Sequence, residues 1–423
     1  MSRYDTVVIG AGLAGLTTAC QLVQANQKVL LVSSGIGALL LASGCIDVLG
    51  FQPADSSQPV RNPLASLDNF LAEHPDHPYH FVGQENIQPG LTAFLKMVNQ
   101  DSLEYRGSAD QNWLLPSAAG AIHPTCLAPA SLANGDLKEK GRVLIVGFKE
   151  LRDFYPTLIS DNLNAQDLGL ETTALTINAP APVTGKMNIT PIELARTFEQ
   201  PDFRRKLVEA IKSESKNYGR VGFPAVLGLQ RHAEVMADLQ KQLNQTMFEI
   251  SALPPSVPGR RLFEGLKHIF LQASGRMIIG SKVVAGTIEA GRVVEIQIET
   301  ASRLKSVQAD NYVLATGGIF GGGIQTNDEA RVWEPIFDLP IAAEANRHKW
   351  FSKSFLSPEG QPVANYGVKV NQQLQPVDEN NATIAKNLYA VGAVIAGSEW
   401  TRGRTGDGLA VITAAAAVKA ITS

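Results

Sequence analysis

A strand, a tight glycine turn and a helix can be recognised in the first 34 residues, and this unit constrains the fold more than any other stretch. Residues 6–9 are apolar or β-branched and run directly into G-A-G-L-A-G at 10–15. Apolar residues then recur at helical spacing, and a second short apolar run follows at 29–32. This pattern is typical of the βαβ unit of dinucleotide-binding proteins. The sequence therefore predicts a Rossmann-like α/β domain.

The three glycines of this turn have distinct physical roles. Gly10 permits the turn, Gly12 lets backbone approach a phosphate, and Gly15 lets the helix pack on the strand. The helix N-terminus adds free N–H groups and the positive end of the helix dipole. We therefore predict that these glycines bind an anionic phosphate. The alternative is a turn whose glycines serve packing alone.

Ser33 and Ser34 follow the second apolar run, where dinucleotide-binding units usually place an acid that holds the ribose hydroxyls. A serine can form a hydrogen bond but lacks the charge. We therefore expect recognition of an adenosine ribose to be weak or lost, which bears on the choice of cofactor.

Length and charge exclude several classes of protein. A chain of 423 residues with 44% hydrophobic residues can form two or three domains with sizeable cores. Its net charge of −3, with both signs well mixed, argues against a nucleic-acid-binding surface. We expect no nucleic-acid partner.

Three cysteines, Cys20, Cys45 and Cys126, are far apart and lack the spacing of metal ligands. We expect buried thiols and neither a metal site nor an iron–sulfur cluster in this chain. The apolar runs fall short of the roughly 18 residues that a membrane span requires. The first strand begins within four residues of the N-terminus, which predicts a cytoplasmic protein without a signal peptide.

The middle of the chain contains further strand–helix patterns, at 141–177 and 222–243, without a second G-x-G-x-x-G motif. We predict that residues 91–270 form an inserted α/β capping domain. Residues 277–285, with a turn at Gly286, and residues 292–300, around Ala290-Gly291, alternate as antiparallel β-ribbons. Residues 1–90 and 271–423 would then form a discontinuous nucleotide-binding domain.

Later segments with small residues are candidates to approach the same ligand. They are Ala42-Ser43-Gly44, the strand end at Thr316-Gly317, the strand end at Gly392, and Thr405-Gly406-Asp407-Gly408 at the start of an alanine-rich helix. Asp407 is predicted to be the N-cap of that helix. Small residues at these points would let backbone lie against a planar ring.

Together these motifs resemble the flavoprotein group that contains succinate dehydrogenase and fumarate reductase. The resemblance implies that the first glycines bind the pyrophosphate, that the A-S-G loop lies beside the flavin ring, and that the last helix points its N-terminus at the pyrimidine end. The implied flavin contacts are Gly10, Gly12, Gly15, Ala42, Ser43, Gly44, Thr316, Gly317, Gly392, and Asp407 or Gly408. The fold it implies is of the FAD/NAD(P)-binding type.

A closer resemblance is carried by L-P-P-S-V-P-G-R-R-L at 253–262, the S-G-C-I-D segment at 43–47 and G-F-P-A at 222–225. These segments look like those of the B subunit of anaerobic glycerol-3-phosphate dehydrogenase. In that family the complex oxidises sn-glycerol 3-phosphate to dihydroxyacetone phosphate. Its catalytic subunit has FAD, the B subunit is assigned FMN, and a third, membrane-anchoring subunit holds iron–sulfur clusters.

The resemblance implies a flavoprotein subunit that is held at the cytoplasmic face of the inner membrane by the FAD-bearing and iron–sulfur partner subunits. Electrons would pass through the iron–sulfur subunit to the quinone pool, with fumarate or nitrate as terminal acceptor. Ser33 and Ser34 are compatible with FMN, which lacks adenosine. FAD is the alternative, because a turn built for a pyrophosphate fits it at least as well.

Oxidation of a secondary alcohol at a flavin requires a base for the hydroxyl proton, and cations to hold the substrate phosphate. Arg402 and Arg404 precede the last helix and are the predicted catalytic phosphate binders, with solvated loop arginines as the alternative. Arg260 and Arg261 are further candidates of the same kind.

No position emerges as the base. His123 and His232 are the histidines considered, although a lone histidine is more often structural. Two other readings of the chain stay open. It could be a stand-alone soluble flavin oxidoreductase similar to fumarate reductase, or a scaffold subunit that has lost its flavin.

Overall fold

The computed structural model describes residues 3–52, 55–101, 103–357, 359–398 and 400–423. The helices, numbered along the chain, are α1 Leu13–Gln24, α2 Pro63–Glu73, α3 Tyr79–Val82, α4 Ile87–Val98, α5 Ala130–Ala133, α6 Pro156–Asn164, α7 Pro191–Phe198, α8 Pro201–Ser215, α9 His232–Leu243, α10 Val257–Gln272 and α11 Gly406–Thr422.

The strands are numbered in the same way. They are β1 Tyr4–Ile9, β2 Val29–Ser33, β3 Phe51–Gln52, β4 Asp55–Pro59, β5 Tyr105–Gly107, β6 Trp113–Pro116, β7 Ile122–Thr125, β8 Leu127–Pro129, β9 Gly141–Phe148, β10 Leu170–Ile177, β11 Arg220–Pro224, β12 Thr246–Ile250, β13 Arg276–Ile279, β14 Val283–Glu289, β15 Arg292–Glu299, β16 Leu304–Val307, β17 Ala309–Leu314, β18 Gln325–Thr326, β19 Val332–Trp333, β20 Ile341–Ala342, β21 Gly367–Val368 and β22 Leu388–Ala390.

A parallel sheet in the order β13-β2-β1-β17-β22 forms the centre of the molecule. Most residues of its strands are apolar, as is usual in a buried parallel sheet. In the register of the sheet, Ile9 pairs with Val32 on one side and with Leu314 on the other. The carboxyl ends of β1, β2 and β17 therefore meet at one edge, which is where α/β sheets bind ligands.

Helix α1 follows β1 directly, and most of its residues are buried. It packs against α10 and α11, which places the last helix of the chain beside the first. This arrangement confirms the predicted Rossmann-like α/β domain.

A second parallel sheet, β10-β9-β11-β12, has its own hydrophobic core, which extends from Leu114 to Val257. Helix α10 then leads the chain back to the first core, to which α4 also contributes. The boundaries proposed for the two domains, 1–90 with 271–423 and 91–270, stay a prediction.

The antiparallel ribbon is present as β14-β15-β16. Two details of the prediction are wrong. Residues 276–279 pair in parallel with β2 and extend the central sheet, and Gly286 lies inside β14, whereas the turn follows at Ala290-Gly291. An apolar run has the same alternation in either kind of sheet, so its pattern did not reveal which neighbour it would pair with.

Across the described ranges, none of the helices combines the length and the apolar character needed to cross a bilayer.

Candidate functional site

The glycine turn between β1 and α1 leaves open space at the start of the helix. A Cβ atom added to Gly10, whose φ is +116°, would lie 2.2 Å from the carbonyl oxygen of Ala315. One added to Gly15 would lie 2.0 Å from the oxygen of Gly10, whereas at Gly12 no described atom comes within 4 Å. Gly10 and Gly15 are therefore required for packing, and Gly12 borders space that a ligand can enter.

Helix α1 is well suited to bind an anion. Its N-cap is Gly12, which forms no side-chain capping bond, and its first turn is Leu13-Ala14-Gly15. The N–H groups of that turn have no partner within the helix. They point, with the positive end of the helix dipole, into the space beside Gly12.

The ends of β17 and β22 complete the same edge of the sheet. Thr316 and Gly317 follow β17, and the Thr316 hydroxyl is buried without a hydrogen-bond partner among the described residues. Gly392 follows β22, and a Cβ added there would lie 2.8 Å from Cβ of Ala14, in the first turn of α1. A buried hydroxyl without a partner is rare in folded chains, so Thr316 is a candidate ligand contact.

Ser33 and Ser34 lie at the end of β2, on this edge. The Ser33 hydroxyl donates to the carbonyl oxygen of Gly35 at 2.6 Å and also accepts from the Gly35 N–H group at 3.3 Å. Ser34 is exposed. The Ser33 hydroxyl thus takes part in a local turn at the position where an acid usually binds ribose.

The loop that carries Ala42, Ser43 and Gly44 packs on the start of α10. The Ser256 N–H group donates to the oxygen of Leu40 at 2.7 Å, and a Cβ added to Gly44 would lie 2.9 Å from Cβ of Pro258. The Ser43 hydroxyl accepts from the Cys45 N–H group at 3.2 Å. The L-P-P-S-V-P-G segment therefore supports the loop.

The N-cap of α11 is Thr405, so the prediction of Asp407 at that position is wrong. Asp407 lies in the first turn of the helix. In the same turn, the Gly408 N–H group donates to the carbonyl oxygen of Asp47 at 2.9 Å, and a Cβ on Gly408 would lie 2.7 Å from that oxygen. The glycines of T-G-D-G thus bring the helix against the loop of Asp47.

Asp47 is the centre of a buried polar cluster. Its Oδ2 atom lies 2.8 Å from Nε2 of His123 and 3.5 Å from Nη1 of Arg404. Asp47 is 5% exposed and His123 is 6% exposed, whereas the Arg404 side chain is 41% exposed. The second carboxylate oxygen of Asp47, Oδ1, is buried and has no partner within the described parts of the chain.

The two acids of this cluster titrate in opposite directions. Burial, and then the charge of the nearby Asp47, raise the pKa of Asp407 to about 7 against the opposing effect of Arg404. Burial alone would also raise the pKa of Asp47, but His123 and Arg404 outweigh it and hold that pKa below its usual value. Asp47 is therefore an anion at neutral pH, and Asp407 changes charge near neutrality.

The arginines predicted to bind a phosphate occupy different surroundings. Arg404 lies beside Asp47, and Arg402 is partly buried two residues earlier in the same loop. Arg261 instead donates to both carboxylate oxygens of the fully buried Glu249, at 2.7 and 3.0 Å, and to the oxygen of Gly228. The guanidinium of Arg261 therefore joins β12 to α10.

His232 belongs to the Glu249 cluster. Its Nδ1 lies 2.7 Å from the Leu227 oxygen, and its Nε2 lies 3.9 Å from Glu249. Burial, and then the charge of Arg261, lower the pKa of His232. The two histidines considered from the sequence thus lie in separate clusters, one with Asp47 and the other with Glu249.

A flavin fits the arrangement at this edge of the sheet. The α1 N-terminus offers N–H groups beside open space, the Thr316 hydroxyl has no partner among the described residues, and glycines line the strand ends. These features define a flavin-binding domain of the α/β class. The FAD binding domain family matches residues 5–409 of this chain.

The relatives share one name, the B subunit of anaerobic glycerol-3-phosphate dehydrogenase. The chain is 34% identical over 98% of its length to a probable B subunit of Halobacterium salinarum, covering 96% of that protein. It is 32% identical to the B subunit of Actinobacillus pleuropneumoniae, covering 97% of each chain, and 30% identical to the B subunit of Vibrio cholerae, covering 100% of this chain and 97% of that one. The chain belongs to this family of B subunits, within the FAD binding domain flavoproteins.

This membership makes the chain a flavin-dependent oxidoreductase subunit. A flavocytochrome c3 fumarate reductase in its open conformation aligns with 100% of this chain and 78% of its own, at 10% identity and a TM-score of 0.48.

Sequence reasoning missed Asp47 as a site residue. The acid ends the S-G-C-I-D segment, and its partner His123 lies 76 residues later on β7. Neither side of this pair has a local motif, so only the folded chain brings the two together. The segment itself was the one available signal.

Proposed function

We propose that this chain is the flavoprotein subunit of an anaerobic glycerol-3-phosphate dehydrogenase that converts sn-glycerol 3-phosphate to dihydroxyacetone phosphate. The observation that carries the proposal is the similarity to relatives of that name over nearly the whole chain. The glycine-lined sheet edge and the buried ionisable cluster supply a cofactor site and a set of groups for proton transfer.

Within the proposal, Gly10, Gly12 and Gly15 hold the phosphate of the flavin, and Thr316 and Gly317 line its path. When bound, the flavin supplies an acceptor for hydride. The remaining cofactor contacts are proposed from the sequence, namely Ala42, Ser43, Gly44, Gly392, Asp407 and Gly408. Arg402 and Arg404 are proposed to bind the phosphate of the substrate, Arg404 from the exposed part of its side chain.

Different observations favour FAD and FMN as the flavin of this chain. The match to the FAD binding domain family favours FAD, as does the G-x-G-x-x-G turn. The serines at 33 and 34 favour FMN, because the usual ribose-binding acid is missing and the Ser33 hydroxyl bonds to Gly35. FAD has the more direct support, and FMN is the alternative.

The lettered name of the relatives, as the B subunit of a dehydrogenase, supports a complex with further subunits. We propose two partners, an FAD-bearing catalytic subunit that shares the catalysis with this chain and an iron–sulfur, membrane-anchoring subunit, which would hold this chain at the cytoplasmic face of the inner membrane. Electrons would then leave through the iron–sulfur partner to quinone, and onward to fumarate or nitrate.

The test compares this chain alone with the chain co-produced with its two partner subunits. The readouts are flavin content and dye reduction that depends on glycerol 3-phosphate. The proposal predicts flavin in both preparations, with substrate-dependent dye reduction by the complex. The same turnover by a complex whose chain carries a flavin-excluding variant such as Gly12→Glu would contradict it, as would fumarate reduction by the chain alone.

A further inference from the structure

Two segments that are distant in sequence, residues 125–127 and the first turn of α11, hold the backbone around Asp47 in place. The neighbouring Ile46 N–H group donates to the Leu127 oxygen at 2.8 Å, and the Thr125 hydroxyl donates to the Ile46 oxygen at 3.2 Å. On the other side, the Gly408 N–H group donates to the Asp47 oxygen. The backbone on both sides of the acid is therefore fixed, as in a preorganised site.

His123 reaches this acid from β7, where it pairs with Leu115 across a hairpin. Because the Asp47 carboxylate is an anion, Nε2 of His123 carries a hydrogen and donates it to Oδ2. Nδ1 is then the basic nitrogen of the ring. A carboxylate that fixes the tautomer and the direction of a histidine is the arrangement of an oriented general base.

The surroundings of the pair contain further titratable groups. They are Cys45 on the same loop as Asp47, Cys126 after β7, Tyr79 of α3, and Arg404 and Asp407 at the start of α11. Apart from Arg404, these groups are neutral or acidic. The pair therefore has one partly exposed cation beside it, Arg404, and a second acid, Asp407.

A second observation points to a ligand at this pair. Oδ1 of Asp47 is buried and has no partner in the described part of the protein. A buried carboxylate oxygen is costly to leave without a hydrogen bond, and a polar ligand would supply one. Asp47 also lies three residues after Gly44, and its carbonyl oxygen accepts from the Gly408 N–H group. Gly44 and Gly408 are two of the proposed flavin contacts.

We propose that His123, oriented by Asp47, accepts the hydroxyl proton when a secondary alcohol is oxidised at this site. This inference rests on the proposed function and names the base that the sequence left unassigned. The O–H bond of the alcohol breaks toward Nδ1 of His123, and its C–H bond breaks as hydride, for which a flavin held at the glycine-lined edge would be the two-electron acceptor. A C=O bond forms, and one proton stays on the imidazole.

The experiment uses the complex of this chain with its partner subunits and compares His123→Gln and Asp47→Asn with wild type. We expect His123→Gln to lower kcat by about 100-fold or more and to remove the acid limb of the pH profile of kcat/KM. Asp47→Asn should lower kcat less and move that limb to lower pH, because the anion beside the ring is lost. His348→Gln, at an exposed histidine, is the matched control and should behave as wild type.

A second readout does not depend on turnover. Histidine labelled with ¹⁵N should report the Nε2–H tautomer for His123 in the wild-type chain, and a change of tautomer or of its population in Asp47→Asn. Flavin content and the unfolding midpoint of each variant identify a folding failure. If His123→Gln misfolds, the pH profile of Asp47→Asn and the tautomer of His123 in the wild-type chain test the role of the pair instead.

The outcomes separate this inference from the proposed function. A wild-type complex that does not oxidise glycerol 3-phosphate overturns both. A wild-type complex that is active, with folded His123→Gln of unchanged kcat and pH profile, overturns the role of His123 alone. A wild-type tautomer with hydrogen on Nδ1 overturns the orientation by Asp47.

Discussion

The buried ion pair between Glu249 and Arg261 gives a prediction whose magnitude follows from the structure. Glu249 is fully buried and accepts from Arg261, from the Leu227 N–H group at 2.8 Å and from the Ser131 hydroxyl at 2.8 Å. Burial alone would raise the pKa of Glu249, but the charges of Arg261 and His232 lower it to about 2.

The difference between this pKa and the ordinary 4.5 corresponds to about 3 kcal/mol of stability by linkage. Because the folded pKa is the lower one, this contribution is complete above pH 4.5 and is lost as the pH falls toward 2. A loss of about 3–5 kcal/mol is also typical when one member of a buried ion pair is removed. Glu249→Gln, which leaves the Arg261 cation buried without its anion, should therefore cost about 3 kcal/mol at neutral pH.

The assay is urea unfolding followed by far-ultraviolet circular dichroism. The matched control is Glu209→Gln, which removes an exposed ion pair with Arg205 on α8 and should cost less than about 0.5 kcal/mol. The double variant Glu249→Gln/Arg261→Met should recover part of the loss, because the unpaired cation is gone. If Glu249→Gln lost no more stability than Glu209→Gln, the pair would not stabilise the junction of β12 with α10.

Three further predictions concern the glycine-lined edge and the acids. Gly10→Ala should destabilise the fold by about 1–3 kcal/mol, because Gly10 has a positive φ and a Cβ there would contact Ala315. Gly12→Ala should fold normally and lose flavin affinity by at least about tenfold. Equal unfolding midpoints for the two variants would contradict this prediction. Thr316→Val should leave the stability of the flavin-free protein unchanged and weaken flavin binding, measured by flavin fluorescence, about fivefold. That factor is the equivalent of one hydrogen bond of about 1 kcal/mol. Unchanged affinity would show that the hydroxyl does not contact the cofactor. Burial raises the Asp407 pKa to about 7 from an ordinary 3.8, so the folded state holds a proton that the unfolded chain releases, and stability should fall as the pH rises from about 4 to 7. Asp407→Asn should remove this fall in the denaturant midpoints. A variant with the pH dependence of wild type would refute the prediction.

Local signals in the sequence were sufficient for the elements with a strong pattern. The βαβ unit at the N-terminus has a glycine motif between two apolar runs, and its strand, turn and helix were predicted. Helix α2, Pro63–Glu73, likewise has a proline at its first helical position, which is a common local signal of a helix start.

Other features depend on contacts that no local pattern records. Residues 276–279 pair with β2, about 250 positions earlier, and the helix of Asp407 has its N-cap at Thr405 and its first turn against the Asp47 loop. The Asp47–His123 pair likewise forms across 76 residues. The sequence therefore indicated the glycine-containing strand ends and gave no indication of the polar cluster beside them.

The most direct test of the account is the flavin content of the purified chain, released by denaturation and separated by chromatography, for wild type and for Gly12→Glu. We expect about one flavin per wild-type chain, with FAD or FMN identified by its retention time, and little or none in a folded Gly12→Glu variant. A folded wild-type chain that binds neither flavin, alone or together with its partner subunits, would contradict the central claim, as would full flavin content in Gly12→Glu.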